Sequence, residues 1–201
     1  MKKNNVILYI SAFLSVVIPV PARFGWGILM LLTMNILMLL GTTAKFLIRK
    51  LDIKELEPVC LLIFLYSVTI LCKQCLILFS PIAALTLSFS LYLIPISTFL
   101  LGYILTDKEM NPKVLYVKNM SASGIFTGYA LFFYMIRELL AFGSISFPVR
   151  KGIHVIKLIS TVKTEYTFFF ATIPGAFVIL AVLVAIYAFI ERIVDINRRK
   201  N

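Results

Sequence analysis

The sequence predicts an all-α integral membrane protein, with six transmembrane helices forming two inverted three-helix repeats and helices one and four broken near their middle. Three observations carry that prediction. Of 201 residues, 61% are hydrophobic and only 14% are charged, whereas a soluble domain is about half apolar and about a quarter charged. Mean hydropathy is +0.98, and charge-poor runs of bilayer-spanning length follow one another with no room for a soluble domain between them. Prolines interrupt the first and the fourth of these runs, one opening each half of the chain, which is the sequence pattern of a midplane site between inverted repeats.

The first run goes from Asn4 to Ala22 and is followed by Arg23 and Gly25. Its start, with Lys2 and Lys3 before an apolar stretch, is similar to a signal peptide, but no small-x-small cleavage site follows and the segment reads as a retained helix. Pro19 and Pro21 remove two backbone donors near its end, so it is broken there. The second run, Trp26 to Ala44, ends in Lys45, Arg49, Lys50 and Lys54. From Val59 to Leu105 the only charge is Lys73. That is too long for one span, since about 20 residues cross the hydrocarbon core. Ser80-Pro81 is the expected turn between helices three and four, and Lys73 then lies close enough to a helix end to snorkel to the interface. Helix four carries the second break at Pro95, followed by Ser97 and Thr98.

A polar loop from Thr106 to Lys118 leads to helix five, Asn119 to Ile136. There Gly124 and Gly128, four residues apart, offer a small-residue face for close approach of another helix. The adjacent Arg137-Glu138 pair ends the run; charges are costly in hydrocarbon, so the pair is expected at the interface or facing protein, like Arg49 after helix two. The stretch Ser144 to Thr167 is basic and mixed, and its apolar patch, Ile153 to Ile159, reads as a short interfacial helix. Helix six runs from Phe168 to Ile190 with Pro174-Gly175 in its first turns, and a basic tail closes the chain. The segment Phe46-Leu47-Ile48-Arg49-Lys50-Leu51 reads against Tyr134-Met135-Ile136-Arg137-Glu138-Leu139 as a weak internal repeat. The chain is thus one membrane domain over 1–201, with repeats of about 1–80 and 81–201.

The net charge of +11 does not point to nucleic acid, because the basic residues flank apolar runs where they orient helices and meet headgroups. Setting Lys73 aside, thirteen Lys and Arg fall on the side of the termini against six on the other, namely Arg23, Arg137, Arg150, Lys151, Lys157 and Lys163. That places both termini in the cytoplasm of a plasma (inner) membrane protein. Cys72 and Cys75 share a helix face at a Cys-x-x-Cys spacing, the one redox-like or metal-like arrangement in the chain; with Cys60 there are three thiols, one short of an all-cysteine cluster site, and small apolar filler near a helix end is the stronger reading. His154 stands alone. Thr127, Tyr129 and Tyr134 are candidates to line a path. There is no catalytic triad, phosphate-cradling loop or nucleotide fingerprint.

The stretch Gly124–Pro148, with Ile136-Arg137-Glu138-Leu139-Leu140 and Phe142-Gly143-Ser144-Ile145, resembles the fifth helix of the small six-helix membrane subunits of the Rnf and Nqr complexes, the ion-pumping ferredoxin:NAD and NADH:quinone oxidoreductases. The RnfE/NqrD branch is the closer match. Phe46–Val59 is similar to that branch's second helix and following loop, Gly102 with Asn111-Pro112 to its helix-four exit, and Ile173–Phe177 to the start of its last helix. The resemblance covers nearly the whole chain in order. It implies two inverted three-helix repeats, partner membrane subunits (a paralogous six-helix subunit or a second copy), and an iron–sulfur cluster held by cysteines from broken helices one and four. At those two cysteine positions this chain has Ile18 and Thr98. Isoleucine has no ligating atom and a hydroxyl is a poor substitute for a thiolate, so no cofactor is expected in this chain. Two functions follow as expectations: a divergent membrane subunit of an electron-transport-linked ion pump, acting as scaffold or ion path and not as a cluster ligand or catalytic subunit; or a stand-alone small-solute transporter or channel on the same fold.

Overall fold

A computed structural model of the chain describes residues 16–50, 56–99, 112–150, 152–159 and 167–200, with side chains not described at 112, 190, 191 and 193–200. Helix α1 (Phe24–Lys50) and α2 (Glu57–Phe79) are followed by three short pieces, α3 (Pro81–Thr86), α4 (Ser88–Leu91) and α5 (Ile94–Phe99). After these come α6 (Pro112–Phe142), a hairpin of β1 (Ser144–Val149) and β2 (Gly152–Lys157), a 3-10 turn (Phe168–Ala171) and α7 (Ile173–Lys200).

Three helices among the described residues are long and apolar enough to cross a membrane: Phe24–Lys50, Glu57–Phe79 and Lys113–Phe142. Of the expected first helix, residues 4–15 lie outside the described residues, and residues 16–22 form a short irregular segment ahead of α1. The expected fourth span is not one helix. Leu87 interrupts it between α3 and α4, and Tyr92-Leu93 between α4 and α5. The expected turn at Ser80-Pro81 is present: Ser80 ends α2, and Pro81 opens α3 where its missing N–H costs nothing. The last helix also starts in two pieces, and Pro174 falls in the first turn of α7 for the same reason.

The sequence reading of Ile153–Ile159 as an interfacial helix is corrected. Residues 152–157 form β2, antiparallel to β1, with Ser144 opposite Lys157 and Val149 opposite Gly152. The β-branched Ile153, Val155 and Ile156 favour a pleated strand over a helix. Gly143, at φ 61°, turns the chain out of α6 as a left-handed helix cap and sets the strand direction.

Helix α1 is the centre of the molecule. More than half of its most apolar window, 56%, is buried, against 22% for α2 and 39% for α6. It packs against α6, α2, α5 and β1. Met30, Met34, Leu37 and Met38 meet Leu61 and Leu65 of α2, Phe126, Ala130 and Phe133 of α6, and Leu87, Leu91 and Ile94 of the short pieces in one apolar core. The outer faces of α2 and α7 are uncovered apolar side chains such as Ile63, Leu71, Leu78, Val182 and Phe189; lipid suits such faces.

Close approach of α1 and α6 occurs at Gly27, not at Gly124 or Gly128. A Cβ at Gly27 would run into the ring of Tyr134, whereas one at Gly124 or Gly128 would meet nothing within 4 Å. The two expected packing glycines face outward, and no other described element of the chain covers them. Gly27→Ala is therefore expected to destabilise the protein by about 1–3 kcal/mol through overpacking. Gly124→Ala, which adds helix propensity to open space, leaves stability unchanged or slightly higher. Thermal unfolding of the two variants in the same detergent checks the contrast, and equal losses would contradict the packing described.

Candidate functional site

Arg137 and Glu138 occupy neighbouring positions on α6, about 100° apart around the helix. They do not bond to each other, and each serves a separate set of partners. Arg137 is 1% exposed and Glu138 0%, so of the two expected placements, at the interface or facing protein, the structure shows the second: both are enclosed by protein. The Arg137 guanidinium donates to the carbonyls of Val20 at 2.8 Å and Ile18 at 3.4 Å on one side. On the other it donates to those of Phe170 at 3.3 Å, Ala171 at 3.0 Å and Thr172 at 3.3 Å. These carbonyls belong to the irregular segment that leads into α1 and to the 3-10 turn that leads into α7; the Thr172 carbonyl also accepts the Ala176 N–H at 3.1 Å, as the first bond of α7. A guanidinium, with five donors in a planar fork, can reach both segments at once.

Glu138 does the converse for donors. One oxygen accepts from the Phe24 N–H at 2.7 Å, the Ser146 N–H at 3.0 Å and the Ser146 hydroxyl at 2.8 Å. The other accepts from Arg23 at 3.1 Å and the Ser144 hydroxyl at 3.2 Å. The carboxylate thus caps the first turn of α1, where negative charge is favourable, and anchors β1. Arg23 also lies 4.0 Å over the Phe142 ring.

A second polar feature runs along the α1–α6 contact. Asn119, Ser123 and Thr127 repeat every four residues and so share one stripe of α6. Across from them, Asn35 donates to Thr127 at 2.9 Å and accepts from Ser123 at 2.7 Å, while Asn119 donates to Thr42 at 3.1 Å. Beside Thr42 a cavity of about 10 Å³ is lined by Lys45, Thr98 and Asn119 together with Met38, Gly41, Leu61 and Leu65, a volume on the scale of one water. Thr42 and Thr98 donate their hydroxyl protons to the carbonyls four residues back, at 2.7 and 2.9 Å. The Thr42 oxygen in turn accepts from Asn119. Lys45, 1% exposed, brings a charge to its edge, and an ionisable group inside a membrane helix marks a functional site by default.

The Pro-interrupted segments lie together: the Ser90 hydroxyl donates to the Pro19 carbonyl at 3.5 Å, and Ile18 and Val20 share the core with Leu87, Leu91 and Ile94. Pro95, Ser97 and Thr98 are buried in α5, and Pro21 is half-buried with its carbonyl accepting the Arg23 N–H at 2.7 Å. Ile18 turns its carbonyl to Arg137, while Thr98 lines the Lys45 cavity. Neither fits an iron–sulfur cluster: Ile18 has no donor atom and the Thr98 hydroxyl is engaged with Ile94. Cys60, Cys72 and Cys75 are free thiols, and no group of three His, Cys, Asp or Glu gathers among the described residues. Arg49 pairs with Glu57 at 3.1 Å. The Lys73 ammonium donates to Ser88 at 2.8 Å and the Tyr92 hydroxyl at 3.1 Å, tying α2 to the broken segment.

Of the residues the sequence singled out for a path, only Thr127 joins the seam. Tyr129 faces outward and Tyr134 is buried against Gly27. Asn35, Thr42, Lys45, Asn119 and Ser123 were missed. Their signal was the four-residue spacing on α6 and the asparagines Asn35, in the middle of an apolar run, and Asn119, at the start of one.

Arg137→Ala takes the donor from the carbonyls of Ile18, Val20, Phe170 and Ala171. It is expected to cost about 3 kcal/mol or more, since each buried acceptor left without a donor costs about 1–3 kcal/mol. Arg137→Lys, whose compact ammonium reaches fewer of them, falls between. Arg23→Ala, at a side chain 26% exposed, is expected to cost about 1 kcal/mol or less. Unfolding temperatures in detergent rank the three, and an Arg137→Ala protein as stable as the parent would contradict the arrangement.

In comparisons with known proteins, no protein-family model, no curated protein and no solved structure matches this chain.

Proposed function

We propose that the chain is a divergent membrane subunit of an electron-transport-linked, ion-translocating complex of the Rnf/Nqr type, contributing scaffold and a polar path and no cluster ligand. The ordered sequence resemblance from Phe46 to Phe177 supports this reading. One structural observation carries it furthest: the two Pro-interrupted segments, 71 residues apart at Pro19 and Ser90, meet in the core of the molecule. The order of elements agrees with a repeat, since a broken segment, a long helix and a further helix occur twice. The inverted arrangement, the six spans and the cytoplasmic placement of both termini are parts of the same proposal. The Lys45 cavity and the α1–α6 seam are the groups that would carry an ion path.

In this reading the redox groups belong to partner subunits. The partners expected are a second six-helix subunit, of this or a related sequence, and subunits that bind flavin or iron–sulfur centres. A second reading, a stand-alone transporter of a small solute, is favoured by Ile18 and Thr98, which remove the cluster ligands while the broken helices and a polar cavity remain.

Mild-detergent purification of the tagged chain from its native membrane separates the two. Co-purification of a flavin- or iron–sulfur-containing subunit together with a second multispan subunit is the expected result. A chain that purifies alone and moves solute in liposomes would overturn the proposal in favour of the transporter.

A further inference from the structure

The hairpin after α6 has two chemically different faces. Cross-strand partners share a face, so Ser144, Ser146, Pro148, Ile153, Val155 and Lys157 lie on one side and Ile145, Phe147, Val149, His154 and Ile156 on the other. The first side meets the protein through Ser144 and Ser146, buried on Glu138, and Ile153, which lies against Gly25, while Val155 and Lys157 at its open end are exposed. The second side is apolar apart from His154, and no other described element covers most of it. Phe147 is 44% exposed and Val149 and Ile156 are each 46% exposed, although the edge contact of Phe147 with Phe24, at 6.0 Å, holds that ring in place.

Position and charge identify what covers this face. Helix α6 has 31 residues, about 46 Å at 1.5 Å per residue, against a hydrocarbon core of ~30 Å and a whole bilayer of ~40–45 Å. A helix that crosses at this length has its end, and the hairpin that follows Gly143 directly, at headgroup depth. The sequence from Glu138 to Glu165 contains no acidic residue between those two positions and four basic ones, Arg150, Lys151, Lys157 and Lys163. Arg150 at the tip and Lys157 at the open end are both exposed. An uncovered apolar face bordered by cations and free of acids matches the boundary between acyl chains and lipid phosphates, here on the membrane side opposite the one expected for the termini.

We propose that the hairpin is an anionic-phospholipid docking element. Its Ile145–Phe147–Val149–Ile156 face lies among the upper acyl chains, Arg150 at the tip holds a lipid phosphate, and Lys157, which leaves the open end from the opposite face, reaches a second. The element goes beyond the proposed function and stands whether or not the chain joins a redox complex.

The test uses the full chain carrying Phe147→Trp, reconstituted in vesicles with brominated phosphatidylglycerol or brominated phosphatidylcholine, with the parent protein, whose one tryptophan is the buried Trp26, as baseline. The expected result is stronger quenching of the introduced indole by the anionic lipid, a preference of about fivefold or more, the scale of one basic residue near an anionic surface. Adding Arg150→Gln and Lys157→Gln brings the preference close to one without removing the quenching. Should Phe147→Trp not fold, Ile156→Trp reports on the same face. No quenching by either lipid, equal quenching by both, or quenching that disappears as protein-to-lipid ratio rises, which would mean a second copy covers the face, each overturns the proposal. Protection that appears only with an added acidic protein partner also overturns it.

Discussion

A buried guanidinium and a buried carboxylate on successive residues of one helix set the terms for this molecule. Irregular backbone inside a membrane protein is tolerable only where something satisfies its polar groups. Here Arg137 supplies donors for the carbonyls of two broken segments, and Glu138 supplies acceptors for the start of α1 and for β1. Without them, the carbonyls of Ile18 and Val20 and those of Phe170 and Ala171 would be left bare in an apolar surround at a cost of several kcal/mol. The division of labour follows from geometry: neighbours on a helix diverge, so a charge pair adjacent in sequence can hold four different elements.

The rest of the bundle is arranged from that end. Once α1 is seated against α6 at Gly27 and Tyr134, its methionine-rich face meets α2 and the short pieces α3–α5. The polar stripe of Asn119, Ser123 and Thr127 then falls opposite Asn35 and Thr42. Interhelical hydrogen bonds of this kind add modestly to stability in membranes, about 0.6 kcal/mol each on average. Their greater consequence is to fix the rotation of the two helices, which brings Thr42 and Asn119 to the cavity edge with Lys45. Lys73 acts similarly on the other side, fixing the broken segment to α2 through Ser88 and Tyr92.

The membrane class, the three apolar spans, the Ser80-Pro81 turn and the breaks around Pro19 and Pro95 were legible in the sequence, because hydropathy and proline act locally. The roles of Arg137 and Glu138 were not. A charge pair at the end of an apolar run looks the same whether it meets water or a neighbouring segment 119 residues away, as Arg137 does at Ile18. The hairpin was missed because a short apolar run rich in isoleucine and valine suits an interfacial helix as well as a strand, and only pairing with Ser144–Val149 decides between them. The spacing of Gly124 and Gly128 permits close packing, but which face of α6 is covered within the chain depends on where the polar stripe and Tyr134 point. The positions Ile18 and Thr98, marked through family resemblance, fall in distinct polar surroundings, one at the Arg137 carbonyl cluster and the other at the Lys45 cavity.

Amide hydrogen exchange in a lipid nanodisc tests the central claim most directly. In the parent protein the amides of Phe24 and Ser146, which both donate to Glu138 although one opens α1 and the other lies in β1, should exchange slowly. In Glu138→Ala both should accelerate together while the amides of Glu57–Phe79 keep their protection. Fast exchange of Phe24 and Ser146 in the parent, or unchanged protection in the variant, would contradict the account.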